Sequence, residues 1–305
     1  MALNQLVVDI EKFKKFVDPT PMLDAGVKMV IVKADEMFEA NCKILAKAGM
    51  PIAAYHYISP FIDATQQVNS IIEDIQKSEL PLLPVIFLDF EEPFGADKND
   101  ATSTFWKQYS NHAKDIFSDL RAKNWRVVGY TRASFIKEFV PQAEEWIGEY
   151  EWWLAQYSLL GNQFTTWKLL LEKFLPGAIE LDLPPGVELS QVVGHQFTGD
   201  KLSLPGLYSD TGFSAVDVCL FDAKFLNEIG ATPNPPPLPM ARFVGKVTAW
   251  IGLRARTGPG ISFDRTFLLK KDHPVEVVEI KDGWAKLRSY EELWVSAKWL
   301  QLTEI

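Results

Sequence analysis

The sequence predicts an α/β fold, a closed barrel of eight strands with helices between them, followed by a small all-β domain. Short apolar runs alternate with amphipathic stretches over the first 230 residues, which is the pattern of strand–helix–strand units. A proline-rich segment then precedes a region of short β-like runs. The length of 305 residues fits one barrel of up to about 250 residues plus a small module.

The barrel strands are predicted from apolar runs bounded by turn residues. They are expected at Leu6–Asp9, Met29–Lys33, Ile52–Tyr57, Val85–Phe90, Val127–Tyr130, Trp152–Gln156, Val192–Phe197 and Ala215–Val218. Helices are expected at Asn41–Ala48, Ala64–Lys77, Ala101–Lys123 and Thr166–Phe174. Eight strands favour a closed parallel barrel, and the helical pattern becomes sparse after Trp152.

The domain boundaries follow from the proline-rich segment. We expect a barrel domain over residues 1–230, a linker over 231–241 and a small domain over 242–305. A run of closely spaced prolines favours polyproline II, so the linker is expected to act as a semi-rigid spacer. Residues 1–239 hold 20 basic and 32 acidic side chains, whereas residues 240–305 hold 11 and 8, which is compatible with an anionic target for the small domain.

Composition excludes several classes of protein. A net charge of −9 argues against a nucleic-acid partner, and no apolar run approaches the roughly 18 residues of a membrane span. Cys42 and Cys219 give no disulfide framework and are expected to be buried structural thiols. The four histidines are scattered, so neither a metal nor a cofactor is expected. Asp9 interrupts the N-terminus before an apolar signal-peptide core develops, so no leader is expected.

Polar side chains recur where the predicted strands end. Because active sites of α/β barrels form at the carboxyl ends of the strands, these side chains are expected to meet there. They are Asp9, Lys33 with Asp35, Tyr55, Tyr57, Asp89 with Glu91, Tyr130, Gln156 with Tyr157, Gln196 and Asp217. A ring of carboxylates, phenols and amides indicates a polar, carbohydrate-like ligand, although any one of these residues could simply mark the exit of its strand into a loop.

The sharpest local motif is Leu88-Asp89-Phe90-Glu91. Acids two residues apart on a strand point to the same face, about 6.6 Å apart at the backbone. Two like charges this close, beside apolar neighbours, should raise one pKa and keep one carboxyl protonated near neutral pH. A protonated carboxyl beside an ionised one is the requirement for cleaving a glycosidic bond.

From about Val7 to Ile229 the chain resembles the glycoside hydrolase family 25 lysozymes, which cut peptidoglycan between N-acetylmuramic acid and N-acetylglucosamine. The matching segments, in family order, are Val8-Asp9, the second strand over residues 25–34, the third over 48–57, Leu88-Asp89-Phe90-Glu91, Trp153-Leu154-Ala155-Gln156-Tyr157 and Val216-Asp217-Val218. The resemblance implies a modified (β/α) TIM-like barrel with eight strands and fewer helices.

The resemblance also implies roles for individual residues. Glu91 would be the general acid and Asp89 its partner, with Asp9 and Asp217 completing an acidic cup. Acetamido participation, in which the substrate's own 2-acetamido oxygen attacks the anomeric carbon, is the implied route. The expected substrate-binding residues are Tyr55, Tyr57, Tyr130, Gln156, Tyr157 and Gln196. The first three tyrosines could alternatively be core aromatics of the barrel.

Three segments depart from the family pattern. Asp35-Glu36-Met37 stands where Thr-Glu-Gly is usual, and Gly194-His195-Gln196-Phe197 replaces the usual Trp-Gln-Tyr. The segment of residues 159–188, between the sixth and seventh strands, is longer than expected and could form a lid or an added subsite. None of these departures removes a carboxylate, so they affect the expected substrate detail more than the reaction class.

The C-terminal region resembles bacterial SH3 domains. Leu253-Arg254-Ala255-Arg256-Thr257-Gly258-Pro259-Gly260 is similar to their signature, and later strands match around Trp284 and Trp294, with Leu293 where Gly is frequent. Four tryptophans lie in this small unit: Trp250, Trp284, Trp294 and Trp299. Two of the four are expected to fill its core. The resemblance implies an SH3-like module that holds the enzyme on a cell-wall polymer.

These observations predict a peptidoglycan hydrolase that cleaves the β-1,4 bond between N-acetylmuramic acid and N-acetylglucosamine, with peptidoglycan glycan strands as its partner. A non-catalytic glycan-binding protein and another wall hydrolase of the N-acetylhexosaminidase type remain alternatives. The expected setting is a phage endolysin that stays cytoplasmic until it is released to the wall. An extracellular bacterial autolysin is the second possibility, if a leader is missing.

Overall fold

The structure is a computed structural model that describes residues 3–11, 16–93, 103–159, 166–173, 180–199, 202–209, 212–213 and 216–305. Its strands are β1 (Leu3–Ile10), β2 (Phe16–Val17), β3 (Met29–Lys33), β4 (Ile52–Tyr57), β5 (Leu82–Asp89), β6 (Arg126–Thr131), β7 (Glu151–Leu159), β8 (Val192–Thr198), β9 (Leu207–Ser209), β10 (Gly212–Phe213), β11 (Asp217–Asp222), β12 (Phe243–Val247), β13 (Leu253–Arg256), β14 (Arg265–Leu269), β15 (Pro274–Lys281), β16 (Trp284–Leu287), β17 (Trp294–Ser296) and β18 (Leu300–Glu304).

The helices of the described residues are α1 (Pro19–Asp24), α2 (Phe38–Lys47), α3 (Ala64–Ser78), α4 (Ser103–Ala122), α5 (Ala133–Phe139), α6 (Glu144–Ile147), α7 (Trp167–Lys173) and α8 (Ala223–Glu228), with 3₁₀ turns at Pro141–Ala143, Leu189–Gln191 and Ala297–Trp299. Asp18, Asp63 and Asp222 cap the N-termini of α1, α3 and α8, each accepting a backbone N–H bond. In this part of the chain no helix is long and apolar enough to cross a membrane.

Eight of the described strands close a barrel in the order β1-β11-β8-β7-β6-β5-β4-β3. The prediction of an eight-stranded closed barrel with helices is confirmed. The expectation of fewer helices holds only after Trp152, where the described residues contain α7 and α8, because the described barrel half as a whole contains eight α-helices. The expectation that all strands are parallel is wrong, because β11 runs antiparallel to both β1 and β8. A parallel partner needs a crossover connection, usually a helix, and the described residues between β8 and β11 contain only the short strands β9 and β10.

The predicted elements differ from the observed ones mainly at their ends. Strands β3 and β4 have the predicted bounds. The last barrel strand was predicted at Ala215–Val218 and is observed at Asp217–Asp222, and residue 215 lies outside the described part. Helix α4 lies inside the predicted Ala101–Lys123, of which residues 101 and 102 lie outside the described part, as does Phe174 beyond α7. Helices α1, α5, α6 and α8 are too short to give a clear helical period and have no counterpart among the predicted helices.

An aromatic cluster fills the barrel below its carboxyl-end opening. Phe87 of β5 is fully buried, and its ring meets Trp153, Phe221 and Phe225 edge-on at centroid distances of 5.8, 5.9 and 6.4 Å. Edge-to-face contacts of this kind are favourable and close-packed. The cluster makes the barrel a solid core, so a ligand can enter only from the rim.

The C-terminal strands form a separate sheet in the order β14-β13-β17-β16-β15-β12-β18. Its core contains Phe267, Val277, Ala285 and Val295. Of the tryptophans in this unit, Trp294 is buried and Trp284 half-buried, whereas Trp250 and Trp299 are exposed. The all-β module that the sequence predicts is present.

The two halves of the chain are in direct contact, which corrects the picture of a spacer holding them apart. Tyr208 of the barrel half is 2% exposed, and its ring stacks on Phe267 of the small sheet with centroids 4.1 Å apart. Arg288 of the small sheet pairs with Asp24, and Ser289 donates to the buried carboxylate of Asp18. Burial raises the pKa of Asp18 to about 6.

The proline-rich segment is itself anchored to the barrel. Asn234 donates its backbone N–H to the carbonyl of Gly49, 2.9 Å away. Gly49 has φ = +65°, and a Cβ at this position would lie 2.1 Å from the Asn234 carbonyl oxygen. Only glycine therefore fits in the turn after α2, where the linker passes over it.

Replacing Tyr208 with Ala should uncouple the two halves. The substitution removes a buried ring from a shared apolar cluster, a change that costs about 3–5 kcal/mol in a well-packed core. We expect calorimetry to show a lower melting temperature or two separate transitions in place of one. Phe61→Ala, at a ring that is 64% exposed, is the matched control. An unaltered single transition in Tyr208→Ala would contradict the shared cluster.

Candidate active site

A cavity with about 730 Å³ of empty space opens at the carboxyl-end rim of the barrel. Its walls combine acidic, aromatic and amide side chains from most of the barrel strands. The lining residues are Asp9, Glu11, Lys33, Tyr55, Tyr57, Phe87, Asp89, Glu91, Tyr130, Trp153, Tyr157, Gln196, Gly199 and Asp217. Five carboxylates and one ammonium group make this described surface strongly negative.

Asp89 and Glu91 lie at the end of β5, where the backbone is fixed on both sides. Ile58 donates its N–H to the carbonyl of Asp89 at 3.0 Å, and Phe90 donates to the carbonyl of Tyr130 at 2.9 Å. The hydroxyl of Tyr109 donates to the carbonyl of Glu91 at 3.0 Å. Because Phe90 between them is fully buried, both carboxylates turn to the cavity side.

Asp9 and Asp217 face each other across the antiparallel pair of β1 and β11, where they are direct register partners. The antiparallel direction explains how Asp217, at the start of its strand, reaches the rim formed by strand ends elsewhere. Cys219, two residues further along and fully buried, donates its thiol hydrogen to Oδ1 of Asp9 at 3.7 Å. Burial, followed by the charge of Asp9, raises the pKa of Cys219, so the thiol remains a donor.

Tyrosines form one wall of the cavity. The rings of Tyr130 and Trp153 lie 4.5 Å apart, and the hydroxyls of Tyr130 and Tyr157 are 3.3 Å apart. Tyr55 is 7% exposed, and the Tyr57 hydroxyl donates to the Glu92 carbonyl at 2.8 Å. Burial raises the pKa of Tyr130 and of Tyr55, so both hydroxyls keep their protons and can donate to a ligand.

The electrostatics centre on Asp89. Its pKa is raised well above the usual value, first by burial and then by the charge of Glu91. Lys33 acts in the opposite direction and lowers it. Two adjacent carboxyls in such a site cannot both ionise readily. The pair therefore keeps one proton at pH values above the usual pKa of a carboxyl group.

Among the buried polar atoms of the cavity with no hydrogen-bond partner in the described residues are Oδ1 of Asp89 and Oε1 of Gln196. An unmade bond at a buried polar atom costs about 1–3 kcal/mol. Both residues line the cavity, so a ligand with donor groups would satisfy them. The described residues hold no cluster of His, Cys, Asp and Glu suited to a metal ion.

A comparison with known families matches residues 8–174 to the profile described as glycosyl hydrolases family 25. This match covers more than half of the 305 residues and includes the Asp89–Glu91 pair. The chain belongs to glycosyl hydrolases family 25. Residues 251–301 match the bacterial SH3 domain. A sequence search of curated proteins found no match.

Solved structures of family 25 share the barrel fold. A bacterial lysozyme from Streptomyces coelicolor superposes with a TM-score of 0.55 at 18% identity, covering 75% of this chain and 97% of its own. A muramidase from Acremonium alcalophilum gives 0.52 at 17% identity, covering 74% and 98%. A family 25 glycosyl hydrolase from Bacillus anthracis gives 0.52 at 15%, covering 75% and 95%. Our chain is a glycoside hydrolase with the family 25 lysozyme fold.

The family 25 barrel brings together nearly all the residues that the sequence analysis selected. The four carboxylates and five of the six expected substrate-binding residues line one cavity. Gln156 is the exception, because its side chain bonds to the backbone of Glu180 and Asp182 outside the cavity. Side chains alternate along β7, so Gln156 faces away from the cavity while Trp153 and Tyr157 face into it.

Several lining residues were not selected as site residues: Glu11, Phe87, Trp153 and Gly199, with Lys33 noted only as a strand end. Because side chains alternate along β7, the sequence pattern could have predicted Trp153 instead of Gln156 as a cavity-lining residue. Nothing in the sequence marked Gly199 as a cavity residue, because its role depends on a tertiary contact. A Cβ at this position would lie 3.0 Å from the ring of Tyr157.

Proposed function

We propose that this family 25 enzyme is a peptidoglycan hydrolase of the N-acetylmuramidase type, cleaving the β-1,4 bond between N-acetylmuramic acid and N-acetylglucosamine. The observation that carries the proposal is the Asp89–Glu91 pair, with its raised Asp89 pKa, at the base of an open polar cavity. A carboxyl pair that holds one proton supplies both an acid and an anion to one glycosidic bond.

Glu91 is the proposed general acid, donating its proton to the leaving glycosidic oxygen. Asp89 then orients the 2-acetamido group, whose oxygen attacks the anomeric carbon as the bond to the leaving group breaks. Water afterwards opens the cyclic intermediate, and Glu91 takes the proton of that water. The Asp89 Oδ1 atom, which has no partner among the described residues, supports this assignment because an acetamido N–H could donate to it.

The remaining carboxylates act through charge. Positive charge develops at the anomeric carbon in the transition state, and a preorganised anionic wall stabilises it. Asp9 and Asp217 supply this wall from the β1–β11 pair, and the Cys219 thiol holds Asp9 in place. Tyr157, which lines the cavity and is 46% exposed, offers an aromatic face to a sugar ring.

Lys33 is proposed to set the pH range of the acid pair. Its ammonium group lowers the pKa of Asp89, so Lys33→Met should raise that pKa further. Ionisation of Asp89 would then need a higher pH, and the acidic limb of the kcat/KM profile should move upward. Lys33→Arg keeps the charge and should leave the limb in place. A Lys33→Met profile that superposes on wild type would contradict this role.

The first test of the proposal is whether the chain is hydrolytic on this substrate. Purified peptidoglycan is incubated with the full chain, and new reducing ends are quantified against time. A steady release of ends supports the proposal. Binding to the polymer without any new ends would identify a non-catalytic glycan-binding protein and overturn it.

The SH3-like module is proposed to bind the cell wall. Its docking against Asp24 and Tyr208 fixes its orientation relative to the cavity, so a bound wall would be presented to the barrel from a constant side. Such a binder raises the effective concentration of substrate without touching the reacting bond. We propose release to the wall from the cytoplasm of a phage-infected cell, with secretion as an autolysin as the alternative.

A further inference from the structure

We infer that the end of the small sheet around Trp250 and Trp299 binds a phosphodiester polymer of the cell wall, built of polyol or sugar units. The inference rests on the proposed function for its setting and deepens the wall-binding role of the module. For brevity this surface, made of Trp250, Ile251, Trp299, Lys271 and Lys298, is called the indole surface.

The indole surface exposes large apolar side chains that ordinary folding would cover. Trp250 is 82% exposed, Ile251 is 87% exposed and Trp299 is 46% exposed. In the same module Trp294 is 4% exposed, so the sheet can bury an indole where packing calls for it. Clustered exposed apolar side chains in a soluble protein mark binding sites.

Backbone hydrogen bonds bring the parts of this surface to one end of the sheet. Thr248, at the end of β12, donates its N–H to the carbonyl of Trp299 at 2.9 Å. Asp272 of the β14–β15 turn donates to the carbonyl of Val247 at 2.8 Å. The segments that carry Trp250, Trp299 and Lys271 are therefore adjacent, although they are far apart in sequence.

Each exposed indole has an ammonium group above its ring. The Lys271 nitrogen lies 4.7 Å from the centroid of Trp250, and the Lys298 nitrogen lies 5.5 Å from that of Trp299. Asp272, the nearby acid, is paired with Lys246 at 2.9 Å. No ion pair in the described residues involves Lys271 or Lys298, which leaves the surface with excess positive charge.

The docked barrel does not occupy this surface. The contacts between the two halves use Phe267, Arg288, Ser289 and Glu291, and also His273, whose ring meets Tyr208 edge-on with centroids 6.4 Å apart. His273 lies in the β14–β15 turn next to the indole surface but is not one of its residues. The exposure values of Trp250 and Trp299 hold for the whole chain with the barrel in place. The surface is open to a wall polymer while the catalytic cavity is also open.

The positive charge of the indole surface indicates which kind of wall polymer it binds. An indole face packs against the C–H groups of sugars and polyols, and an ammonium group binds phosphate as a point charge. A phosphodiester polymer carries only negative charges, whereas peptide stems of peptidoglycan carry amino groups beside their carboxylates. The cavity, with five carboxylates, would repel a polyanion, so such a polymer is directed to the module.

The test is co-sedimentation of the full chain with purified Gram-positive walls, before and after extraction with hydrofluoric acid, which removes phosphodiester-linked polymers. Wild type should bind intact walls at least tenfold more tightly than extracted walls, and this preference should fall with added salt. Trp250→Ala and Lys271→Gln should each lower the affinity for intact walls several-fold. Lys281→Gln, at the exposed last residue of β15, is the matched control.

Equal binding of wild type to intact and extracted walls would overturn the inference, as would wild-type affinity in both variants. Release of reducing ends from extracted peptidoglycan is measured in parallel for every protein. Unchanged release in the variants with reduced binding supports the inference. If wild type releases no reducing ends, the proposed hydrolase function is wrong. The co-sedimentation result still tests the binding inference in that case.

Discussion

Glu91→Gln is expected to lower turnover on soluble glycan strands by about 10²–10⁴-fold while glycan binding persists. Glutamine keeps the shape of the side chain but cannot give a proton to the leaving oxygen. The backbone at this position is fixed by the Tyr109 hydroxyl, so the substitution should not rearrange the loop. The measurement is the initial rate of reducing-end release, with binding followed separately on the same strands.

Glu73→Gln, at an exposed position on α3, is the control for the same chemical change. It should retain wild-type turnover. Thermal melts of both variants check that the fold is intact. A folded Glu91→Gln protein with wild-type turnover would contradict the assignment of the general acid and the placement of the active site.

Asp89→Asn should lower turnover by about 10²–10³-fold through a different route, because it removes a preorganised charge from the transition state. It should also change the pH–rate profile. The native pair is coupled, with the charge of Glu91 contributing to the raised pKa of Asp89. Once Asp89 is replaced, the pair no longer shares a proton, and the pH at which the last proton leaves should fall.

The control for Asp89→Asn is Asp119→Asn on the outer face of α4, which should keep both the rate and the profile. The profile is recorded on soluble glycan so that wall binding does not enter. An Asp89→Asn enzyme with reduced rate but an unshifted profile would contradict the coupling. One with full activity would remove Asp89 from the mechanism.

Sequence patterns predicted the barrel and most of its cavity because strand periodicity and polar strand ends are local signals. Asp89 and Glu91 could be placed on one face from their spacing alone. The direction of β11 could not, because antiparallel pairing depends on the connection after β8 and not on the strand itself. The pairing of Asp9 with Asp217 followed from the resemblance, and its register became visible only in the structure.

Other features depend on contacts between distant residues. Gly49 reads as an ordinary helix-ending glycine, yet it is needed because the linker passes over it at Asn234. Tyr208 lies in a short strand with no distinguishing pattern, yet its ring joins the core of the other half. The semi-rigid spacer followed from proline content, which reports chain stiffness and carries no information on docking.

The central claim is tested most directly by the identity of the new reducing end. Purified peptidoglycan is digested with the full chain, the products are reduced with borohydride and hydrolysed, and the reduced amino sugars are identified by mass. The account predicts muramitol, the product of cleavage after N-acetylmuramic acid. Glucosaminitol as the reduced sugar would contradict it and identify a glucosaminidase.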